Sequence, residues 1–188
     1  MLDAAPVAAV DATGLETRHV SAYFGLRRAG SGHHRQRAWP KLTAVVHTAS
    51  HLIAGAVPGV GPSQDSPDFI PAVRQAAALV AFDTALADAG YDAEHNHRFC
   101  REELGMRQTV IALNRRNAGD RRPNAPYRRA MHRDFPVELY HQRWLAESAF
   151  SQHKRRFGSA LTARGTAAQQ RELALRVLTH NPALLAGR

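Results

Sequence analysis

The chain has 188 residues, with 25 Lys plus Arg against 16 Asp plus Glu, and a formal charge of +9 at neutral pH. That length can bury a core as one unit spanning residues 1–188. The charge is carried almost wholly by arginine (Lys41 and Lys154 are the only lysines) and points to nucleic acid or an anionic membrane surface. No apolar run approaches the roughly 18 residues of a spanning helix. The first residues lack a signal-peptide layout, and the lone Cys100 excludes a disulfide framework, so an intracellular chain is expected.

In chain order, Pro6 to Val10 reads as a buried strand ending at Asp11, followed by a turn to Gly14. Residues 25–37 are rich in Gly, Arg and His and read as an exposed loop. Lys41–Thr48 and His51–Val57 read as a strand pair joined by the weak turn signal Ala-Ser. After the turn-rich stretch 59–67, a helix is expected from about Pro67 to Val80, capped by Asp65 or Ser66. Thr84–Ala87 is a short strand ending at Asp88. Asp92 is expected to cap a helix from Ala93 to about Leu104, with Gly105 as its stop. Arg107–Leu113 is a β-branched strand.

Segment 114–133 carries Arg115, Arg116, Arg121, Arg122, Arg128, Arg129 and Arg133. It reads as a loop with one helical turn near Pro126, serving as a solvated connector or a phosphate-binding loop. A helix over 136–157 follows, with Pro136 at its first position, and a last helix over about 166–179.

The 136–157 helix has an unusual face. At about 100° per residue, Tyr140, Arg143, Glu147 and Lys154 share an arc of roughly 60°. Leu139, Ala146, Phe150 and Phe157 form an apolar ridge on one side, and Val137 and Trp144 a shorter one on the other. His141, Gln142, Gln152 and Arg156 face away. Trp144 and Phe150 are expected in the core. Charged groups on an inward face are costly unless paired or bound to something. A simple Arg143–Glu147 pair at i,i+4 is one explanation; a cleft holding a cation and a polyanion is another.

Open α/β sheets place ligands at the carboxyl ends of their strands. If the strands carrying Asp11 and Asp88 are neighbours, and the 136–157 helix packs across them, Glu147 joins both aspartates. Three such carboxylates repel one another unless cations hold them. Two Mg²⁺ ions (or Mn²⁺) about 3.5–4 Å apart would satisfy them and support phosphoryl transfer. Asp83 and Asp92 compete with Asp88, which is preferred because it falls at the strand end.

Tyr140-x2-Arg143-x3-Glu147-x6-Lys154 matches the Y-x2-R-x3-E-x6-K signature of a group of bacterial insertion-sequence transposases of the DDE type. Asp88-Ala-Gly-Tyr-Asp92 resembles the segment carrying that group's second aspartate, and Val10-Asp11-Ala-Thr-Gly14 the segment carrying the first. The resemblance spans almost the whole chain. It implies an α/β, ribonuclease-H-like fold: a mixed five-stranded sheet flanked by helices, with the arginine-rich loop inserted before the catalytic helix. It implies Asp11, Asp88 and Glu147 as catalytic metal ligands, with Arg143 and Lys154 on DNA phosphates and Tyr140 at the terminal nucleotide. The implied activity is metal-dependent cleavage and strand transfer at transposon ends, in the cytoplasm at the nucleoid, by a chain acting as a homodimer.

The first aspartate lies close to the start, so a catalytic core without its end-recognition region is expected. The rival readings are a non-catalytic DNA-binding remnant and a ribonuclease-H-like nuclease with another substrate. His95-x-His97-x2-Cys100 is discounted as a zinc site, because the two histidines point about 160° apart on a helix; they are expected on its exposed side. His33, His34, His47 and His51 suggest no metal site either.

Overall fold

The computed structural model describes residues 5–18, 38–114 and 122–186. The loop 25–37 and Arg115, Arg116 and Arg121 lie outside them. A five-stranded sheet organises the rest. Strand β1 (Val7–Gly14) pairs antiparallel with β3 (Trp39–His47), which pairs antiparallel with β4 (Ile53–Gly61). On its other side β1 runs parallel to β5 (Thr84–Ala87), and β5 parallel to β6 (Gln108–Ile111). The order is β4-β3-β1-β5-β6. The mixed five-stranded sheet is therefore observed, and the strands carrying Asp11 and Asp88 are neighbours, the condition on which their meeting depended.

Both faces of the sheet are covered, which explains why β3 reads as a continuous run: its residues Pro40 to Val46 are all buried. On one face, Val10, Val45, Ala85 and Ile111 pack with Phe69, Ala72, Val73 and Ala76 of α1 (Ser66–Ala77) and with Tyr91 and Phe99. A Cβ on Gly55 of β4 would collide with the Ala72 carbonyl, so a residue without a side chain lets α1 lie this close. On the opposite face, Ala9, Leu42, Ala44 and Val46 pack with Ala146, Ala149 and Phe150 of α5 (Trp144–Phe157) and Leu173 and Val177 of α6 (Thr166–Ala186). A small parallel ribbon of β2 (Glu16–Thr17) and β7 (Ala160–Leu161) ties the end of β1 to the exit from α5.

Several local expectations change. Strand β1 does not end at Asp11 but continues to Gly14, because β3 keeps pairing with it after β5 has stopped. Asp65 and Asp92 do not use their side chains as caps: Asp65 takes Lys41, and Asp92 takes Arg128. The helix before Gly105 consists of α2 (Glu94–Arg98) followed by a wider π turn, Phe99–Glu103. His97 there is fully buried, with Nδ1 2.6 Å from the Thr109 hydroxyl, while His95 is exposed. The helical turn near Pro126 is a helix, α3 (Pro126–Arg133). The last helix runs on to Ala186.

The 136–157 helix is three pieces: α4 (Val137–Tyr140), a 3₁₀ turn (His141–Arg143) and α5. Pro136 precedes α4 as its cap residue instead of opening it. Trp144 and Val137 are exposed, at 57% and 50%, so their ridge is not core. The buried side of α5 is Ala146, Ala149, Phe150 and His153. This face is centred away from the polar arc, so the arc lies at the rim of the packed surface. Exposed Glu147 then needs no burial at all.

Candidate active site

The parallel register aligns Val10 with Ala87, the last pair of β1 and β5. The next residues along are Asp11 and Asp88. Where β5 ends, the backbone turns into a 3₁₀ segment, Ala89–Tyr91, and the Asp88 carboxylate accepts the Gly90 N–H at 2.8 Å. A Cβ on Gly90 would meet Asp88 Oδ1 at 3.0 Å and Asp65 Oδ2 at 3.4 Å, so the turn is tight because this position has no side chain. Asp11 stays in strand conformation, and its carboxylate takes the Ala12 N–H at 2.8 Å.

Glu147 reaches this edge through Arg143. The guanidinium donates from Nη1 to Asp11 Oδ2 at 3.2 Å and from Nη2 to Glu147 Oε1 at 2.9 Å. It also lies 6.0 Å from the centroid of the half-buried Tyr140 ring, which packs edge-on against Phe135 at 4.9 Å. The intervening 3₁₀ turn, at about 120° per residue, rotates Tyr140 by roughly 60° relative to an unbroken α-helix. The i,i+4 pair expected as the plain explanation is thus present, and it extends to a third residue from β1.

The electrostatics are uneven. Burial raises the Asp11 carboxyl to about 6; the Ala12 N–H and Arg143 pull it down, while Asp88 and Glu147 push it further up. Tyr140 is raised as well, by burial first and by Asp88 and Asp11 in addition, with Arg143 opposing. The Tyr91 phenol, fully buried beneath the same edge, is raised by burial and by Asp65, Asp11 and Asp88. An open cleft of about 620 Å³ lies in front, lined by Asp11, Thr13, Glu147, Phe150, Ser151, Lys154 and Arg155. Lys154 therefore faces the same space as Asp11 and Glu147.

The other arginines divide. Arg128 is bound to Asp92, with Nε and Nη2 at 2.7 and 2.8 Å from its two oxygens. Arg129 is exposed and donates to the Pro123 and Asn124 carbonyls. Arg122 is exposed. Of the competing aspartates, Asp83 is held by Arg107 at 2.8 Å and Asp92 by Arg128, so neither turns towards Asp11.

Sequence reasoning missed several buried polar groups. Lys41 is buried between Asp65 and Asp68, and His153 and His180 lie 5.7 Å apart, both fully buried. The alternation of β3 puts Lys41 and Thr43 on one face with Val45 and could have flagged the first. His153 follows from the 3.6-residue spacing with Ala146, Ala149 and Phe150. No sequence signal marks its pairing with His180.

Asp11, Asp88 and Glu147 offer only oxygen donors, the set suited to Mg²⁺ or Mn²⁺. Asp11 is already destabilised as an anion, as a carboxylate awaiting a cation would be. The donor set therefore fits the ions. Among the described residues, however, no three His, Cys, Asp or Glu side chains stand close enough together to hold an ion as they are. Arg143 supplies the positive charge between Asp11 and Glu147 instead.

No curated protein matches the chain. The family profile described as "Transposase DDE domain" matches residues 3–181, nearly the whole of it. With that match and the mixed, helix-flanked five-stranded sheet of the ribonuclease-H-like fold, the chain belongs to the transposase DDE domain family.

Proposed function

We propose that this transposase domain cleaves and joins DNA phosphodiesters at the edge formed by Asp11, Asp88 and Glu147, with divalent metal as cofactor. The observation that supports the reading is the geometry there: one arginine bridges the partly buried Asp11 carboxylate at 3.2 Å to the exposed Glu147 at 2.9 Å in front of an open cleft that Lys154 also lines, with Asp11 pushed up to about 6. Asp11, Asp88 and Glu147 would hold two Mg²⁺ or Mn²⁺ ions. When bound, such ions activate a water or hydroxyl nucleophile and stabilise the leaving oxygen.

The protein's own groups do the rest. Asp11 and Asp88 follow directly on the last register pair of β1 and β5, and each carboxylate takes a backbone N–H, which orients it. Glu147 is exposed and, among the described residues, held by Arg143 alone, so it is the carboxylate with most room to adjust. Arg143, whose guanidinium fork already reaches two carboxylates, is the cation placed to offer that fork to a DNA phosphate entering the cleft. Lys154, Arg155 and the exposed Arg122 and Arg129 extend a positive track for the backbone, with Tyr140 against the terminal nucleotide. Contacts of this kind position DNA without reading its sequence. Activity at insertion-sequence ends, in the cytoplasm and through a dimer on paired ends, completes the reading. Among the described residues no helix is long and apolar enough to cross a membrane.

The test is nicking of supercoiled DNA in Mn²⁺ by this chain and by Glu147→Ala. Nicking by the wild type and a loss of more than about a hundredfold in the variant is the expected result, since even outer-shell partners of metal ligands are worth 10–100-fold. Equal activity in both removes Glu147 from the mechanism. Nicking by neither favours a non-catalytic DNA-binding remnant.

A further inference from the structure

Helix α3 raises a physical question. It has eight residues and none of them is buried, and a helix that short is marginal in water without packing. What holds it comes largely from the stretch just after Asp88. The Asp92 carboxylate, 1% exposed, accepts Arg128 Nε at 2.7 Å and Nη2 at 2.8 Å, and also the Asn114 N–H at 2.9 Å. Glu94 accepts the N–H groups of Tyr127 and Arg128, each at 3.1 Å. These are first-turn donors that a helix cannot satisfy itself, and Ala125 at the cap offers them no side chain. The Tyr127 ring stacks on the His97 imidazole at 5.9 Å and 13°, with the Arg101 guanidinium 5.8 Å from its centroid.

We propose that Asp92, assisted by Glu94, is a positioning residue that docks α3 beside the Asp88 turn as a DNA-backbone-binding arm. The inference rests on the reading of the chain as a DNA-acting enzyme. In this arrangement Arg128 is a tether. Its guanidinium fork is spent on a carboxylate that water hardly reaches, and a bidentate pair of that geometry is among the strongest polar contacts available. Among the described residues, the cations here left for phosphates are Arg129 and Arg133 on α3 and Arg122 just before it, all exposed. The carbonyls that Arg129 touches do not neutralise its charge. Asp92 lies only four positions after Asp88, and two 3.8 Å virtual bonds more reach Glu94. The segment therefore serves the carboxylate edge at one end and the basic helix at the other, and fixes their spacing.

The competing explanation is that Arg128 itself binds phosphate and Asp92 only screens it. The two differ in sign. If Asp92 only screens, Asp92→Ala removes a negative charge and frees an arginine, so DNA binding tightens. If Asp92 docks α3, the same change weakens binding although the protein becomes more positive.

The experiment is fluorescence anisotropy of the full chain with a labelled DNA duplex of mixed sequence over a salt series. It compares wild type, Asp92→Ala and Arg128→Lys, with amide hydrogen exchange of residues 126–133 in parallel. Expected are weaker binding in both variants, faster exchange in α3, and a log K against log salt slope shallower by about two, for the contacts of Arg129 and Arg133. Arg128→Lys keeps the charge but loses the fork, and it carries the test should Asp92→Ala fail to fold. Equal or tighter binding with α3 exchange unchanged overturns the inference and leaves the proposed function standing. A wild type that binds DNA with no salt dependence overturns both.

Discussion

Two carboxylate–cation–carboxylate bridges lie on opposite faces of the sheet, and they are built to different ends. In the first, Lys41 Nζ sits 3.1 Å from Asp65 Oδ1 and 2.8 Å from Asp68 Oδ2. In the second, Arg143 joins Asp11 at 3.2 Å and Glu147 at 2.9 Å. The distances are alike; the burial is not. Lys41 is 6% exposed while its carboxylates keep 35% and 25%, so the deepest charge is the cation, with two anions around it. Burial would lower the Lys41 ammonium, but its bonds to Asp68 and Asp65 outweigh that and raise it. Thr43 and the Gln64 carbonyl complete the set. In the second bridge the deepest charge is a carboxylate, Asp11 at 15%, and Glu147 is 60% exposed. One arginine does not balance the burial, and Asp88 adds to the strain. A saturated bridge holds the fold, whereas an unsaturated one leaves room for a further cation.

Substitutions should separate the two. The largest effect is the loss of Mn²⁺-dependent nicking in Glu147→Ala, by more than about a hundredfold, with thermal unfolding almost unchanged because that side chain is mostly in water. Lys41→Met should act the other way. Removing one partner of a buried pair costs about 3–5 kcal/mol, and about 3 is expected here because Asp65 and Asp68 retain some solvent, measurable by urea denaturation. A Lys41→Met chain as stable as the wild type would show that this bridge is not structural.

Asp11→Asn tests the strain directly. Folded Asp11 titrates at about 6 against 3.8 for an unperturbed aspartate. The folded chain thus holds the extra proton between those values, so the stability it brings is present below pH 3.8 and is lost as the pH rises through 6. Without metal, Asp11→Asn should be more stable than the wild type at pH 7, by about 1–2 kcal/mol. That is less than the full shift at about 1.4 kcal/mol per unit, because Asn gives Arg143 a poorer partner. The difference should vanish below about pH 4. Mn²⁺ should raise the wild-type Tm and leave Asp11→Asn nearly unmoved. The smallest effect on stability is on Glu147→Gln, because its bond to Arg143 is the exposed half of the bridge and is worth less than about 1 kcal/mol.

The sequence showed one half of this contrast and hid the other. The strands in chain order, the hairpin and the two aspartates beyond Val10 and Ala87 could be read from apolar runs and turn residues, since those depend on local pattern. The arc of Tyr140, Arg143, Glu147 and Lys154 was legible as an oddity, and Asp11 was legible at a strand end as a companion for Glu147, but its bond to Arg143 was not. Its placement at the rim was not, because that depends on Ala149 and His153 setting the packed face and on a 3₁₀ turn at His141. Lys41 stood out only as the first residue of a strand, because nothing near it in the sequence announces Asp65 and Asp68. Arg128 was counted among phosphate contacts for the same reason: its partner Asp92 lies 36 positions away.

The parallel pairing of β1 with β5 has a consequence for when the carboxylates meet. Asp11 and Asp88 become neighbours only after a hairpin, helix α1 and a crossover have been laid down between them, and Glu147 joins only when α5 docks on the finished sheet. Non-local parallel pairings of this kind form late and slowly. A chain still emerging from the ribosome, or one locally unfolded, therefore carries all three acidic residues without the arrangement that brings them to one edge. On the proposed function, folding topology would act as a safety catch, withholding the cutting edge until the sheet is complete.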